Sequence, residues 1–313
     1  MNSSSNQRQS ASGNALVECV PNFSEGRKTE TVARLASVIG SVPTACVLDT
    51  HIDPDHNRSV ITFVAAPEMV VEAAVQAVGL AASLIDMRTH AGVHPRLGAT
   101  DVLPFIPVSG VSLADCAALA HQAGARIASE LSIPVFFYER AALRPDRINL
   151  EDVRRGALEL LREQIAVTPN RAPDLGPLQV HERAGAIAVG ARPFLIAFNI
   201  NLSTRDVSLA RRIASVVRAR GGGLPFVKAL GFELSSRGLV QVSLNLVNYE
   251  ATGIAQAYEA VRSEAELLRV KILSTELVGL LPEKALDRSA EYFQKLENFS
   301  EDKVLEHRLR ICR

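Results

Sequence analysis

Several features that mark particular classes of protein are missing from this 313-residue chain. It has no tryptophan, and its four cysteines form no Cys-x-x-Cys pair, which argues against a disulfide framework and a structural zinc ribbon. Its 34 basic and 34 acidic side chains cancel, so no basic surface for duplex nucleic acid is expected. With 47% hydrophobic and 22% charged residues, the composition is that of a globular protein, and wholesale disorder is excluded.

Long hydrophobic runs are also scarce. Residues 1–14 are rich in Ser, Asn and Gln without an apolar stretch, which predicts a disordered tail rather than a signal peptide. The most apolar helical window, residues 69–85, is interrupted by Glu72 and Gln76 and is shorter than the roughly 20 apolar residues of a membrane span. The sequence therefore predicts a soluble cytoplasmic protein that binds no membrane and no nucleic acid.

Motifs for nucleotide cofactors and for a serine nucleophile are absent as well. Gly221-Gly222-Gly223 is not followed by Lys-Ser or Lys-Thr, as a phosphate-binding loop requires. The glycines at 185 and 190 do not fit the dinucleotide fingerprint, and no Gly-x-Ser-x-Gly elbow occurs. Nothing in the sequence supports an ATP or NAD site.

The hydrophobic periodicity of the first half predicts the order β-α-β-β-α-β, the split βαβ arrangement. Ser24 is the expected cap of the first helix, and residues 51–57 are expected to be a polar loop. Two prolines favour an edge position or a short length for the fourth strand. A further helix with a capping box at Ser112 and Asp115 follows, then a strand and a helix. The predicted strands are 16–20, 46–49, 59–65, 102–108 and 135–138, and the long helices are 67–85, 112–131 and 149–165.

The second half repeats this order after a linker rich in Pro, Asn and Gly at residues 168–178. A helix capped by Ser203 or Thr204 is expected between the strand 194–202 and a hairpin, 227–232 with 239–247; a helix at 253–268 and a strand within 270–280 follow. Two ferredoxin-like α/β subdomains with their sheets packed face to face satisfy this pattern, since each sheet needs a cover on its helix-free face. The predicted boundaries are a tail at 1–14, subdomains at 15–178 and 179–300, and a charged tail at 301–313.

Histidines concentrate in two segments of the first half. His51 and His56 lie in one, and His90 and His94 in the other. With Asp53 they are suitable metal ligands, but no standard ligand spacing is present. His94 is either a catalytic base, since histidine transfers protons near neutral pH, or a structural histidine bonded to backbone.

Taken together, the motifs resemble the formiminotransferase domain of the formiminotransferase-cyclodeaminase family. The resemblance extends from about residue 16 to 311. The matching segments are LVECVPNFSEG at 16–26, NRSVITFV at 57–64, LIDM at 84–87, HPRLGA at 94–99, PFIPV at 104–108, GARPFLIAFNINL at 190–202, QVSLNL at 241–246 and ELVGLLP at 276–282.

The resemblance implies an enzyme that moves the formimino group of N-formimino-L-glutamate to N5 of tetrahydrofolate, in histidine breakdown. It implies two facing α/β subdomains with the substrates between them, a homodimer, a cyclodeaminase carried elsewhere, no metal and no cofactor beyond the co-substrate tetrahydrofolate. The family's catalytic histidine falls on His94. The family's folate-binding stretch falls on Gly176, Pro177, Leu178, Gln179, Val180, His181, Glu182, Arg183, Ala184 and Gly185.

Two departures from the family pattern affect the site. Many relatives carry Asp-x-Asp where this chain has Asp49-Thr50-His51, so His51 or Asp53 would take the place of the second acid. Glu182-Arg183-Ala184 stands where animal relatives have Pro-Ser-Trp, which removes a stacking surface from the folate stretch.

Further substrate contacts are assigned by side-chain chemistry within the matched segments. Arginines suit the carboxylates of both substrates, and a structural role for each is the equally weighted alternative. The asparagines would bond the pterin or formimino group or else satisfy turns, and Asp101 would orient His94 or cap the strand entry. These candidates are Asn22, His51, Arg58, Arg96, Asp101, Arg192, Asn199 and Asn201.

Three other functions compete with this one. A 5-formyltetrahydrofolate cyclo-ligase-like enzyme would require ATP. A non-catalytic folate-binding protein would not need His94. A metal-dependent hydrolase would use His51, Asp53, His56, His90 and His94 together.

Overall fold

The computed structural model describes residues 15–288 and 290–312. The tail predicted at 1–14 lies outside the described residues. Within them the chain forms a seven-stranded sheet and a four-stranded sheet, each with helices packed against it. The predicted class, a mixed α/β fold with two subdomains, is confirmed.

The first subdomain contains strands β1–β7 and helices α1–α5. Strand β4 pairs with β1, β1 with β5, and β3 with the free side of β4, all antiparallel, as the split βαβ order requires. The strands are β1 (Leu16–Cys19), β2 (Asn22–Phe23), β3 (Cys46–Asp53), β4 (Arg58–Ala65), β5 (Thr100–Ser109), β6 (Val135–Glu139) and β7 (Ile187–Ala191). The helices are α1 (Thr29–Gly40), α2 (Pro67–Leu84), α3 (Leu113–Leu131), α4 (Leu150–Val153) and α5 (Ala157–Gln164).

The second subdomain repeats the β-α-β-β-α-β topology of the first, without counterparts to β2, β6 and β7. Its strand order is β11-β8-β10-β9, with antiparallel pairing throughout. The elements are β8 (Ile196–Leu202), α6 (Val207–Val217), β9 (Val227–Leu234), β10 (Leu239–Leu246), α7 (Ile254–Leu267), β11 (Ile272–Val278), α8 (Glu291–Gln294) and α9 (Leu305–Ile311).

Some local expectations were wrong. Strand β5 is a central strand of ten residues, because a proline loses only its own N–H; the carbonyl of Pro104 still accepts from the amide of Val20 at 3.3 Å. The predicted loop 51–57 is strand as far as Asp53, since its residues pair with β4. The helix expected at 149–165 is two helices, separated at Gly156, which has a φ of +77°.

The capping predictions failed at two helices and held at one. Helix α1 begins at Thr29, and the Ser24 hydroxyl donates to the carbonyl of Gly98 at 2.7 Å instead. The cap of α6 is Asp206, which accepts from the amide of Ser208, and not Ser203 or Thr204. The capping box at Ser112 is present as predicted.

Strand β7 was not predicted, and it alters the first sheet. It runs parallel to β5 on one side and to β6 on the other. The first sheet therefore continues as far as Ala191, beyond the subdomain boundary expected at residue 178.

A disulfide joins Cys46 and Cys312, whose Cα atoms are 6.1 Å apart. The lack of Cys-x-x-Cys pairs had argued against a disulfide framework. It gives no information on this bond, because the two cysteines are 266 residues apart in sequence. The bond connects the segment after α9 to β3, the outer strand of the first sheet. It lies beside an ion pair between Lys303 and Asp49 (2.9 Å).

Helix α2 is long and apolar enough to cross a membrane by length and composition alone. In the fold it packs against α1, α3 and the first sheet. Eight of its side chains, among them Val70, Ala74 and Val78, are buried in the core of the first subdomain. Its apolar character is therefore that of a core helix.

The alternation of side chains along each strand divides the sheets into two faces. In β1, Val17 and Cys19 enter the core under the helices, and Glu18 points to the opposite face. In β8, Phe198 and Ile200 are core residues, and Asn199 points away from them. These opposite faces of the two sheets look toward each other across a cleft.

Candidate functional site

The cleft between the two sheets has a volume of about 1210 Å³. Its walls are the helix-free faces of both sheets, the loop that carries His94 and the segment 149–157 around α4. Among its lining residues the cationic side chains outnumber the carboxylates, eight to five. An anionic small molecule is the ligand that such a lining favours.

His94 stands in this cleft in one defined tautomer. Its Nδ1 lies 2.8 Å from the carbonyl oxygen of Pro95, which can only accept, and 3.4 Å from the Arg58 guanidinium, which can only donate; the shorter contact assigns the proton to Nδ1. Nε2 then keeps its lone pair. The ring stacks on Phe232 of β9, with centroids 5.6 Å apart and planes at 25°. The imidazole is thus oriented by the backbone on one side and by the second subdomain on the other.

Two arginines and an aspartate form a buried network beside His94. The Arg58 guanidinium donates to Asp101 at 2.7 Å and to the side-chain oxygen of Asn22 at 2.7 Å, and it lies 3.4 Å from His94 Nδ1. Arg154 also donates to Asp101, whose carboxylate accepts from the amide of Leu97 as well. Asp101 is fully buried. It orients the arginines, and in the described part of the chain no hydrogen bond joins it to His94.

The network controls the protonation of His94. Burial and the positive charges of Arg58 and Arg154 hold the pKa of His94 well below its usual value of 6.5. The imidazole is neutral at physiological pH, and its Nε2 is available to accept a proton. Burial opposes ionisation of Asp101, but the two arginines prevail and its pKa is lowered, so the carboxylate stays charged.

A second histidine lies close to the first. The His56 and His94 ring centroids are 6.0 Å apart, and Phe232 contacts both rings edge-on or stacked. His56 Nδ1 is 3.0 Å from the carboxylate of Asp53, while its Nε2 is buried without a partner among the described residues. His51 lies on the same face of β3 as Asp53 and is 3.9 Å from Glu276 of β11. Burial lowers the pKa of His51.

The histidines do not converge on one point. His90 interacts with the carbonyl of Asn57 and with Arg96, and the other three have the separate partners given above. No group of three or more His, Cys, Asp or Glu side chains placed to hold a metal ion occurs in residues 15–288 and 290–312. The arrangement that a metal-dependent hydrolase would need is not formed by these residues.

The remaining predicted arginines have different positions. Arg96 is held by Glu159 of α5 at 2.7 and 2.9 Å, so its charge is already paired at the edge of the cleft. Arg192 follows β7 and lines the cleft, where its charge acts on Glu18 and Tyr138. Only Arg58 of the three is close to His94.

The two asparagines of β8 also differ. Asn199 lines the cleft and donates to Glu276 at 3.2 Å. Asn201 is fully buried; it donates to Ser274 and accepts from Gln241, both at 3.0 Å. The structure therefore places Asn199 at the site and Asn201 in an internal polar network outside the cleft lining.

The stretch 176–185 lies behind the His94 loop. Gly185 is bridged to Gly98, and the amide of Ala99 donates to the carbonyl of Ala184 at 2.8 Å. None of these ten residues is among the described residues that line the main cleft. Leu178, Gln179, Val180 and Glu182 instead border a separate depression of about 390 Å³, together with Arg88 and Arg162.

Several cleft residues were not among the predicted site residues. Glu18 was inside a matched segment, but a single acidic residue in a short strand carries no local signal. Arg154 was missed because the sequence predicted one continuous helix around it. In the structure Gly156 divides that segment into two helices. Phe232 is on the cleft face of β9, which alternates Lys228, Leu230 and Phe232; this period of two was the one available signal.

Comparison with known proteins identifies the family. The chain matches the family model of the formiminotransferase domain, N-terminal subdomain, over residues 16–192, and that of the formiminotransferase domain over residues 197–312. The chain belongs to the formiminotransferase family. The resemblance seen in its motifs is confirmed.

Relatives of this formiminotransferase chain match most of its length. It is 46% identical to the glutamate formimidoyltransferase of Thermoplasma acidophilum over 94% of this chain and 97% of that protein. It is 42% identical to the Streptococcus pyogenes enzyme of the same name, over 94% and 98%. The formimidoyltransferase-cyclodeaminase of Rattus norvegicus is 44% identical over 95% of this chain but only 55% of its own length.

Proposed function

We propose that the protein is a glutamate formimidoyltransferase, which transfers the formimino group of N-formimino-L-glutamate to N5 of tetrahydrofolate. The observation that carries the proposal is the neutral His94, oriented with its proton on Nδ1, in a cationic cleft of a formiminotransferase-family chain. Close relatives that match nearly end to end bear the name of this activity.

The chemistry requires one proton acceptor and good alignment. N5 attacks the formimino carbon to give a tetrahedral intermediate, and His94 Nε2 takes the N5 proton. The bond from this carbon to the glutamate nitrogen then breaks, and that nitrogen receives the proton, so that glutamate and 5-formiminotetrahydrofolate leave. General-base help of this kind contributes about 10²–10⁴-fold, and orientation of two substrates contributes roughly 7–11 kcal/mol.

A base with a low pKa accepts a proton only weakly. We infer that substrate binding raises the pKa of His94. Burial, together with Arg58 and Arg154, depresses the pKa of His94 in the free enzyme. Binding of an anionic donor beside them neutralises part of their charge, which raises the basicity of His94 once the donor is bound. The cations thus serve both to attract carboxylates and to keep the free imidazole unprotonated.

The other parts of the proposal extend beyond the cleft. Residues 176–185 contribute to folate binding, and four of them border a depression next to Arg88 and Arg162. Asn22, His51, Arg58, Arg192 and Asn199 contribute substrate contacts. The enzyme needs no metal and no cofactor besides tetrahydrofolate, acts in the cytoplasm as a homodimer in histidine breakdown, and delivers its product to a separate cyclodeaminase.

The test is a transfer assay without ATP. Enzyme, N-formimino-L-glutamate and tetrahydrofolate are mixed, and 5-formiminotetrahydrofolate is followed by its conversion in acid to 5,10-methenyltetrahydrofolate. We expect activity in the wild type and a loss of at least about 10² in His94→Ala. His307→Ala, the same change outside the cleft, is the matched control. Activity unchanged in His94→Ala would contradict the mechanism, and an inactive wild type would contradict the function.

A further inference from the structure

The cleft contains a carboxylate that the transfer mechanism does not use. Glu18 is 2% exposed, at the centre of the first sheet, with β4 on one side and β5 on the other. Its side chain forms no hydrogen bond or ion pair with any residue in the described parts of the chain. A carboxylate this deeply buried and without a hydrogen-bond partner is costly to folding, and because Glu18 lines the cleft, a ligand there can satisfy it.

Its surroundings show what such a ligand must offer. Glu18 shares the cleft floor with Thr62, Pro104, Tyr138 and Arg192. Tyr138 lies across Gly190, where a Cβ atom would approach its ring to 2.4 Å, so the ring is held over the floor close to the sheet. Burial raises the pKa of Glu18 to about 7, and the charge of Arg192 only partly offsets this. A planar group with two adjacent N–H donors would satisfy both carboxylate oxygens and favour their ionised form.

Both substrates of the proposed reaction contain such a pair of donors. The pteridine ring of tetrahydrofolate has a ring N–H next to an exocyclic amino group, and the formimino group of the donor is an amidine. Position along the sheet separates them. Glu18 and Asn22 are four residues apart, at most about 13 Å at 3.3 Å per residue, and Asn22 holds the Arg58 that lies beside His94. The amidine carbon must react at His94, which leaves the far end of the pteridine for Glu18.

We propose that Glu18 anchors the pteridine ring of tetrahydrofolate by accepting hydrogen bonds from its ring N–H and its 2-amino group. The proposal rests on the proposed function, because it assumes that tetrahydrofolate enters this cleft. It assigns the two ends of the bicyclic ring: the amino edge faces Glu18, and the edge that carries N5 faces His94. Glu18 is then a specificity-determining residue for the folate.

Binding measurements on Glu18→Gln test this assignment without relying on turnover. Gln has the same shape but replaces one acceptor by a donor that opposes the amino group. We expect the dissociation constant for tetrahydrofolate, measured by calorimetry, to rise at least tenfold, with that for N-formimino-L-glutamate unchanged. A tetrahydropteridine ligand that lacks the 2-amino group keeps only the ring N–H, so the loss of affinity from wild type to Glu18→Gln should be smaller for it than for tetrahydrofolate. Glu130→Gln, on the exposed face of α3, is the matched control.

Stability distinguishes a binding role from a structural one. Because the pKa of Glu18 is raised, from 4.5 to about 7 in the folded chain, folding loses stability as the pH rises through this window. Glu18→Gln should therefore melt at the same temperature as the wild type near pH 4 and at a higher temperature at pH 8. A variant that melts lower at pH 8 would show that Glu18 supports the fold, and would overturn the proposal.

The outcomes separate this proposal from the function. Tetrahydrofolate binding within twofold of wild type in Glu18→Gln, with transfer intact in the wild type, overturns the pteridine assignment alone. Loss of donor binding in place of folate binding assigns Glu18 to the amidine and also overturns it. Glu18-dependent binding of tetrahydrofolate by a wild type that transfers nothing supports the anchor and contradicts the function. A wild type that binds no tetrahydrofolate overturns both.

Discussion

The two subdomains have one topology and very different faces toward the cleft. The first places a buried ionic network there, with Asp101 between Arg58 and Arg154, and sets His94 beside it. The second presents Asn199 and Phe232, with Glu276 as its partner to His51. The same β-α-β-β-α-β arrangement therefore carries an ionic network in one copy and mostly uncharged side chains in the other. The difference lies in which strand residues are charged and in the segments outside the shared strands, which carry His94 and Arg154.

The largest effect on this difference between the subdomains is expected from removal of the Asp101 carboxylate, which pairs with both arginines. Asp101→Ala leaves Arg58 and Arg154 buried close together without their carboxylate. We expect the free energy of unfolding to fall by about 3–5 kcal/mol, as for other broken buried ion pairs. Urea denaturation at pH 7 measures this.

The matched change in the second subdomain is Glu276→Ala. Glu276 is 18% exposed and 3.9 Å from His51, so its loss should cost no more than about 1 kcal/mol. Equal costs for the two variants would contradict the view that the buried charges are concentrated in the first subdomain.

The contribution of the second subdomain is tested at Phe232. Its ring stacks on His94 and contacts His56, so Phe232→Ala should leave the His94 imidazole free to reorient. Misplacement by about 1 Å can cost about 10² in rate, and we expect kcat/KM to fall between tenfold and about 10²-fold. Steady-state kinetics would show it. Phe226→Ala, the same substitution at an exposed position of the same subdomain, should have little effect; similar losses in both variants would point to general destabilisation instead.

Much of the fold followed from the sequence because most elements have local signals. Strand β4, helix α2 and all the main elements of the second subdomain were predicted within a few residues. Strand β7 was missed because its residues, IAVGA, combine small side chains with a glycine and look more like a turn than a strand. Its place beside Tyr138 requires that glycine, which is a tertiary requirement.

The site was less accessible to sequence reasoning. The resemblance directed attention to His94, and the cleft confirms that this side chain faces a ligand-sized space. The partners of Arg58 and Arg154 could not be predicted, because Asp101 is 43 residues from one and 53 from the other. Residues so far apart in sequence are not linked by the periodicity of one helix or strand. Their contact can be predicted only when the arrangement of the sheet is already known.

The fall in rate at acid pH would show how strongly the charges of the first subdomain act on His94. In the proposed mechanism His94 acts in its neutral form, and burial, Arg58 and Arg154 lower its pKa. With tetrahydrofolate saturating, so that Glu18 is already engaged, the wild-type kcat/KM for N-formimino-L-glutamate should therefore be flat from pH 8 to 6.5 and fall only at lower pH. Arg154→Gln removes one of the two charges while Asp101 keeps Arg58, so its acid limb should move to higher pH.

The neighbouring residue supplies the control for this shift. Arg155 is exposed and pairs with Asp152, and Arg155→Gln should leave the limb where the wild type has it. A limb that stays in place in Arg154→Gln would mean that burial alone sets the pKa of His94, and that the ionic network only supports the structure.

The smallest effect is expected where the turns of the two sheets meet. Asp55, between β3 and β4, accepts from the amide and the hydroxyl of Ser236, between β9 and β10, at 3.1 and 2.7 Å. Ser236→Ala removes one hydrogen bond at the surface and should reduce the free energy of unfolding by about 1 kcal/mol or less, because water replaces the lost partner. Urea denaturation measures the loss, and the KM for each substrate shows whether the contact also holds the cleft closed. A change in kcat/KM as large as that of Phe232→Ala would mean that the second subdomain acts through this turn rather than through its aromatic contact with His94.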